Sequence, residues 1–241
     1  MITYSTLTKR GKRKINEDAV GVKEAHDGIF CVLADGLGGH GAGDIASNLA
    51  VTTSLSIYEE GKIDFPEMLE LCMNKAQESI IEEQQRNERP NEMKTTAVML
   101  LIDGNKAQWV HIGDSRLYVF ENGEFAKRTL DHSVPQMLAL HGDISEEEIR
   151  HHEDRNRLTR AMGVEWERPM YVLSEPYDLT VPTVFLLCSD GFWELIKESE
   201  MVDLLRKCSK PDIWLAKMEK KILRNGKKTN MDNYSAIAVF V

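Results

Sequence analysis

The chain has 241 residues, of which 42% are hydrophobic and 29% charged, with a formal net charge of -9. That is enough material for one large domain with a real core, and no linker, repeat or low-complexity stretch divides it, so residues 1–241 are read as a single domain. The acidic balance argues against nucleic acid or an anionic membrane as the main partner.

The N-terminus, Met1-Ile2-Thr3-Tyr4-Ser5, lacks the apolar core of a signal peptide, and no apolar run approaches spanning length. A cytoplasmic protein without direct membrane insertion is expected. A basic run, Lys9-Arg10-Gly11-Lys12-Arg13-Lys14, comes next. Residues 19–22 and 29–34 read as strands joined by a turn at His26-Asp27-Gly28. A glycine-rich turn from Gly36 to Gly43 follows. Asp44 is the expected N-cap of a helix whose apolar face is Ile45, Leu49, Thr53 and Ile57. A second helix is expected to open near Asp64, with Pro66 and Glu67 in its first turn, and to end in the charged stretch 82–92. The middle is strand-rich, at 95–102, 108–112, 116–120 and 124–128, with hairpin turns at Asp103-Gly104-Asn105 and Glu121-Asn122-Gly123.

From Asp131 to Arg157 the rhythm breaks into a polar segment with capping-box patterns at Ser133–Gln136 and Ser145–Glu148, read as a surface excursion. Strands are expected again at 170–179 and 183–188, helices at 191–196, 199–208 and 212–224, and a last strand at 234–241. Two blocks of strands and two of paired helices predict a layered α+β domain with antiparallel sheets face to face. Cys31, Cys72, Cys188 and Cys208 form no CxxC pair and read as small hydrophobes in a reducing compartment.

Five acidic motifs punctuate this pattern: Asn16-Glu17-Asp18, Asp35-Gly36, Gly113-Asp114-Ser115, Ser189-Asp190-Gly191 and Asp232-Asn233. Any one of these aspartates alone reads first as a cap or turn residue. Several carboxylates at one sheet rim would repel unless cations neutralised them, so the set together reads as a metal site. Asp35 ends an apolar strand, and a carboxylate there has two oxygens with which to bridge two cations; Gly36 leaves its carbonyl open to an ion. The all-oxygen donor set favours Mg²⁺ or Mn²⁺ over softer metals. Arg13, close before the first motif, offers a planar fork of donors for a phosphate.

Taken in order, Arg13-x-x-Asn16-Glu17-Asp18, Ala34-Asp35-Gly36-x-Gly38-Gly39-His40, Thr95-Thr96-Ala97, Gly113-Asp114-Ser115-Arg116, Asp131-His132-Ser133, Ser189-Asp190-Gly191 and Asp232-Asn233-Tyr234-Ser235 resemble the metal-dependent protein serine/threonine phosphatases of the PPM type, the protein phosphatase 2C family, in a bacterial-like form. The resemblance spans nearly the whole chain. It implies a four-layer αββα sandwich of two antiparallel β-sheets flanked by helix pairs, and two to three Mn²⁺ or Mg²⁺ ions. Asp35 would bridge two metals, the Gly36 carbonyl would reach the second, and Asp190 and Asp232 would complete the first. Asp18 and Glu17 would act at or just outside the metals' direct contacts, Asp114 would hold a weaker third ion with Asp190, and Arg13 would bind the substrate phosphate. The segment 134–157 corresponds to the family's flap.

The implied activity is hydrolysis of phosphoserine and phosphothreonine by direct attack of a metal-bridging hydroxide, with phosphoproteins as substrates and a cognate Ser/Thr protein kinase in opposition. Leu37 stands where many eukaryotic members carry a His, so no side-chain general acid is assigned; His40 in the glycine-rich turn, and His132, His141, His151 and His152, read as structural, surface or hydrogen-bonding residues. Two other readings are a non-catalytic phosphoprotein-binding regulator on the same fold and a small-molecule phosphoesterase.

Overall fold

Alternating strands and short turns give two antiparallel sheets in the computed structural model, which describes residues 2–25, 28–37, 42–60, 67–87 and 92–241. The first sheet is built from β2 (Asp18–Ala25), β3 (Gly28–Leu37), β5 (Ala97–Asp103) and β6 (Lys106–Ile112), with the two-residue pieces β4 (Lys94–Thr95), β9 (Val172–Leu173) and β10 (Tyr177–Asp178) on its margins. The second has the order β1-β12-β11-β7-β8, from β1 (Thr3–Lys9), β7 (Arg116–Glu121), β8 (Glu124–Arg128), β11 (Thr183–Cys188) and β12 (Tyr234–Phe240).

Strands with period-two side chains bury both faces here. Ile29, Cys31, Leu33, Val98 and Leu100 meet Leu117, Val119, Phe185, Leu187, Ile237 and Val239 between the sheets. Phe30, Val32, Met99 and Val110 face the other way, onto helices α1 (Gly43–Glu60) and α2 (Glu67–Arg86). On the far side Tyr118, Phe120, Leu186, Ala236 and Ala238 pack against α4 (Asp190–Trp193), α5 (Glu198–Leu205) and α6 (Pro211–Asn225). The expected αββα sandwich is therefore the observed one. No helix among the described residues is long and apolar enough to cross a membrane.

Several expectations need correction. Asp44 does not cap α1; it lies inside the first turn. The buried stripe of α1 is Ala46, Ser47, Ala50, Val51 and Ser54, while Ile45 is 36% exposed. Small residues win because the helix lies close on the sheet: a Cβ on Gly21 of β2 would meet Val51 and Leu55 at 2.6 Å. The strand expected over 170–179 is two fragments, split at Ser174–Pro176, where Pro176 has no N–H to donate and the Ser174 hydroxyl accepts from the Trp109 N–H at 3.0 Å. Strand β1 was not anticipated. It is an edge strand paired to β12 from Thr3↔Phe240 to Lys9↔Tyr234, and its mostly exposed side chains carry little hydrophobic pattern.

Ser133 caps α3 (Val134–His141), accepting from the Gln136 N–H, but the Gln136 side chain turns to Arg128 and Glu146 rather than closing a reciprocal box. The excursion is also better anchored than its polarity suggested. Ile149 is fully buried in the second sheet's outer core, and Arg150 Nη2 donates to both carboxylate oxygens of Glu198 at 2.6 and 2.7 Å. The cysteines are free, with Cys31, Cys72 and Cys188 buried. The turn residues His26 and Asp27, Gly38-Gly39-His40-Gly41, and the helix start at Asp64 and Pro66 lie outside the described residues.

Candidate metal centre

Antiparallel pairing of β2 with β3 sets Asp18 directly opposite Asp35 at one end of the first sheet. Asp35 is then braced through its backbone. Its carbonyl accepts from the Thr96 N–H at 2.9 Å and the Thr95 hydroxyl at 2.8 Å, and its N–H donates to Thr96 Oγ1 at 3.1 Å. The Thr96 and Ser115 hydroxyls share a hydrogen bond of 2.7 Å, tying this brace to the Asp114 loop. Gly36 has no room for a side chain: a Cβ would come within 2.3 Å of the Gly43 carbonyl oxygen and 2.7 Å of that of Glu17.

The second sheet delivers its carboxylates to the same end. Ser189, N-cap of α4, donates its hydroxyl proton to Asp18 Oδ2 at 2.9 Å and accepts from the Ser235 N–H at 2.9 Å, so one side chain couples β2, β11 and β12. Asp190 is the first residue of α4, and its carboxyl group lies close enough to that of Asp35 for each to perturb the other. The Asp114 backbone carbonyl accepts from the Trp193 indole at 3.0 Å. Arg116, next in that motif, is buried, makes two bonds of 2.8 and 2.7 Å to Asp131, and stacks 3.4 Å over the Trp193 ring. Asp232 Oδ2 accepts from Arg13 Nη2 at 2.6 Å, across a pair 35% and 49% exposed.

Burial dominates the electrostatics, and the crowding of like charges adds to it. Burial lifts the Asp35 carboxyl well above the usual carboxylate range, reinforced by Asp18, Asp190 and Asp114. Asp114 is lifted likewise, by burial and then by Asp190. Asp18 is pushed up to about 7, again chiefly by burial, although the Ser235 and Ser189 hydroxyls pull against it. Asp190 rises to about 6 through burial and Asp232. Glu17 is raised by burial, Asp44 and Asp232.

These residues fit a cation site. Asp18, Asp190 and Asp114 each push the buried Asp35 carboxyl toward its neutral form, and Asp18 Oδ1 is buried without a partner. Positive charge at the cluster would relieve both conditions. No three His, Cys, Asp or Glu side chains among the described residues stand in the grouping of a preformed ligand cage, so the geometry is that of mutually repelling acids rather than a closed site. The donors are oxygens, as hard divalent ions prefer.

Sequence reasoning missed two participants. Glu194 sits one helical turn after Asp190, is lifted to about 7 by burial and then by Asp190, and is held by Arg155 Nε at 3.0 Å. Its i, i+4 spacing from Asp190 was the available signal. Asn233 was noticed only as part of a motif. Its carbonyl accepts from the Glu17 N–H at 2.8 Å, and its amide donates to the Arg10 and Ile15 carbonyls at 2.8 and 2.9 Å, so it shapes the loop that carries Arg13. His132 is buried, stacks on His111 at 4.8 Å and accepts from the Gly113 N–H at 3.1 Å; burial lowers it to about 3, so it is a neutral structural imidazole. His40 lies outside the described residues.

The family model for protein phosphatase 2C matches residues 8–218. The serine/threonine phosphatase stp of Listeria welshimeri is 33% identical over 225 residues, covering 87% of each chain. Among solved structures, the serine/threonine phosphatase Stp1 from Staphylococcus aureus superposes with a TM-score of 0.89 at 28% identity, covering 100% of this chain and 95% of the other. The catalytic domain of the serine/threonine protein phosphatase PstP, in complex with two manganese ions, gives a TM-score of 0.85 at 27% identity, covering 99% and 97%.

Proposed function

We propose a two-cation hydrolytic mechanism for this chain, which belongs to the protein phosphatase 2C family and is a metal-dependent serine/threonine phosphatase. Asp35, Asp190 and Asp232, with the Gly36 carbonyl, would hold two Mn²⁺ or Mg²⁺ ions, and Asp114 with Asp190 and Glu194 a third. When bound, such ions would make a water acidic enough to act as a nucleophile toward phosphorus and would supply positive charge for the phosphoryl oxygens. The observation that carries this reading is the convergence of carboxylates from both sheets: Asp18 faces Asp35 on the first, and Ser189, bonded to Asp18, brings in Asp190 from the end of β11 on the second.

The chain's own groups do the rest. Arg13 binds the phosphoryl oxygens through its guanidinium fork, exchanging its present partner Asp232 for the substrate. Asn233 keeps the Arg13 loop in register with Glu17. Asp18, fixed by the Ser189 hydroxyl, accepts hydrogen bonds from water at the buried rim. Leu37 leaves the position after Gly36 without a titratable group, so the departing alkoxide takes its proton from water. Segment 134–157 is read as a flap beside the centre within a single domain, and a cytoplasmic setting with an opposing Ser/Thr kinase completes the picture.

The test is turnover of a phosphothreonine peptide after exhaustive chelation and after Mn²⁺ or Mg²⁺ readdition. Loss and recovery of turnover are expected; undiminished hydrolysis without metal would sink the mechanism. Single-turnover trapping should reveal no phosphoenzyme.

A further inference from the structure

One face of this acidic chain is strongly basic, and it runs to the phosphate-binding end. On α6 and the following 3-10 turn Gly226–Lys228, the residues Lys217, Lys221, Arg224 and Lys228 recur at helical spacing. They form one stripe roughly 16 Å long, taking about 1.5 Å per residue. Lys220 and Lys227 broaden it. Lys217, Lys220, Lys221 and Arg224 wall a groove of about 470 Å³ between α5 and α6, with Lys207 on the facing side. The acidic groups nearby are few: Glu200 is paired with Lys221 at 2.6 Å, Glu219 accepts from the Tyr234 hydroxyl at 3.3 Å, and Asp203 lines the groove. The exposed side chains of Lys220, Arg224, Lys227 and Lys228 have no ion-pair partner among the described residues.

The stripe is stitched to the centre. Lys12 Nζ donates to the carbonyls of Lys227 and Thr229 at 3.0 and 2.7 Å, and its N–H donates to the Met231 carbonyl at 3.0 Å. The next residue is Arg13, on Asp232. A ligand whose phosphate lies on Arg13 therefore finds the basic track beginning one loop away.

We propose that this track docks an acidic segment of the phosphoprotein substrate, flanking the phosphorylated residue. The idea rests on the phosphatase reading above and adds a substrate class to it. An extended peptide advances about 3.3 Å per residue, so the stripe accommodates roughly five residues. Carboxylates there meet Lys220, Arg224, Lys227 and Lys228, which have no ion-pair partner among the described residues, and the attraction is sensitive to ionic strength because the groups are exposed.

The experiment compares phosphothreonine peptides carrying a five-residue Glu block on either the N- or the C-terminal side with the same peptides carrying Gln. p-Nitrophenyl phosphate, too small to reach the track, serves as control. In one of the two registers the Glu peptide should show a kcat/KM about tenfold higher at low salt, through KM rather than kcat, and the advantage should fade as NaCl is added. The double variant Lys220→Glu, Arg224→Glu, and the milder Lys220→Gln, Arg224→Gln, should lose the advantage while p-nitrophenyl phosphate turnover is unchanged. Equal turnover of Glu and Gln peptides in both registers, or a preference that survives in the variants, overturns the docking track alone. So does charge-dependent sedimentation of wild type with phosphatidylglycerol vesicles in the absence of any peptide preference. Failure of wild type with Mn²⁺ to hydrolyse either class of substrate overturns the phosphatase reading itself, and the track with it.

Discussion

Asp18→Asn should stabilise the metal-free protein above neutral pH, and the size of the effect follows from burial. Asp18 is 7% exposed, and its carboxyl is lifted from 3.8 to about 7. Between those values the folded chain holds a proton that the unfolded chain has released. Stability is then fully present below the unfolded pKa and falls as pH rises through the folded one. A lift of about three pH units at roughly 1.4 kcal/mol each makes ionised Asp18 cost about 4 kcal/mol. The amide keeps an oxygen for the Ser189 hydroxyl and cannot ionise, so it escapes this cost. For a chain of this size 1 kcal/mol is worth roughly 2–4 °C, so at pH 8 in chelator the variant should melt about 8–16 °C above wild type. Calorimetry in EDTA from pH 5 to pH 8 measures it. Wild-type melting should drop with rising pH, Asp190 and Glu194 adding in the same direction, and saturating Mn²⁺ should flatten the slope. A wild-type melting temperature that does not change with pH in chelator, or a variant no more stable at pH 8, would refute the reasoning.

Asp35→Asn should lower turnover by orders of magnitude at any metal concentration, whereas Asp114→Asn should mostly shift the Mn²⁺ titration to higher concentration; steady-state kinetics across a metal series separates the two. Arg13→Ala should raise KM for phosphopeptides at least tenfold, and Arg13→Lys should recover only part of it, because an ammonium cannot reproduce the planar fork. Asn233→Ala removes three hydrogen bonds to the loop of residues 10–17. At about 1 kcal/mol each it should cost about 3 kcal/mol in denaturant unfolding and raise KM by releasing Arg13.

The strand-and-turn rhythm, the helix pairs and the five acidic motifs were legible because each is local. The continuous apolar runs over 29–34 and 184–188, and the hairpin turns near Asn105 and Asn122, follow from backbone preferences that neighbours a few residues apart decide. Strand β1 was not legible, since an edge strand with exposed side chains is defined by its hydrogen bonds to β12, more than 220 positions away in the chain. The buried face of α1 was misjudged for a related reason. Close approach to Gly21 selects alanine and serine over Ile45, and that distance exists only once helix and sheet are packed. At the centre, the sequence by itself named Asp18, Asp35, Asp114, Asp190 and Asp232 by type and setting. Tertiary structure decided that Asp35 and Asp190 are close enough to perturb one another, that Asp18 meets the Ser189 hydroxyl through one oxygen while its other oxygen is buried without a partner, and that Arg13 rests on Asp232. Composition can supply negative charge, but how strongly those charges repel depends on separation and burial, which the folded chain alone sets.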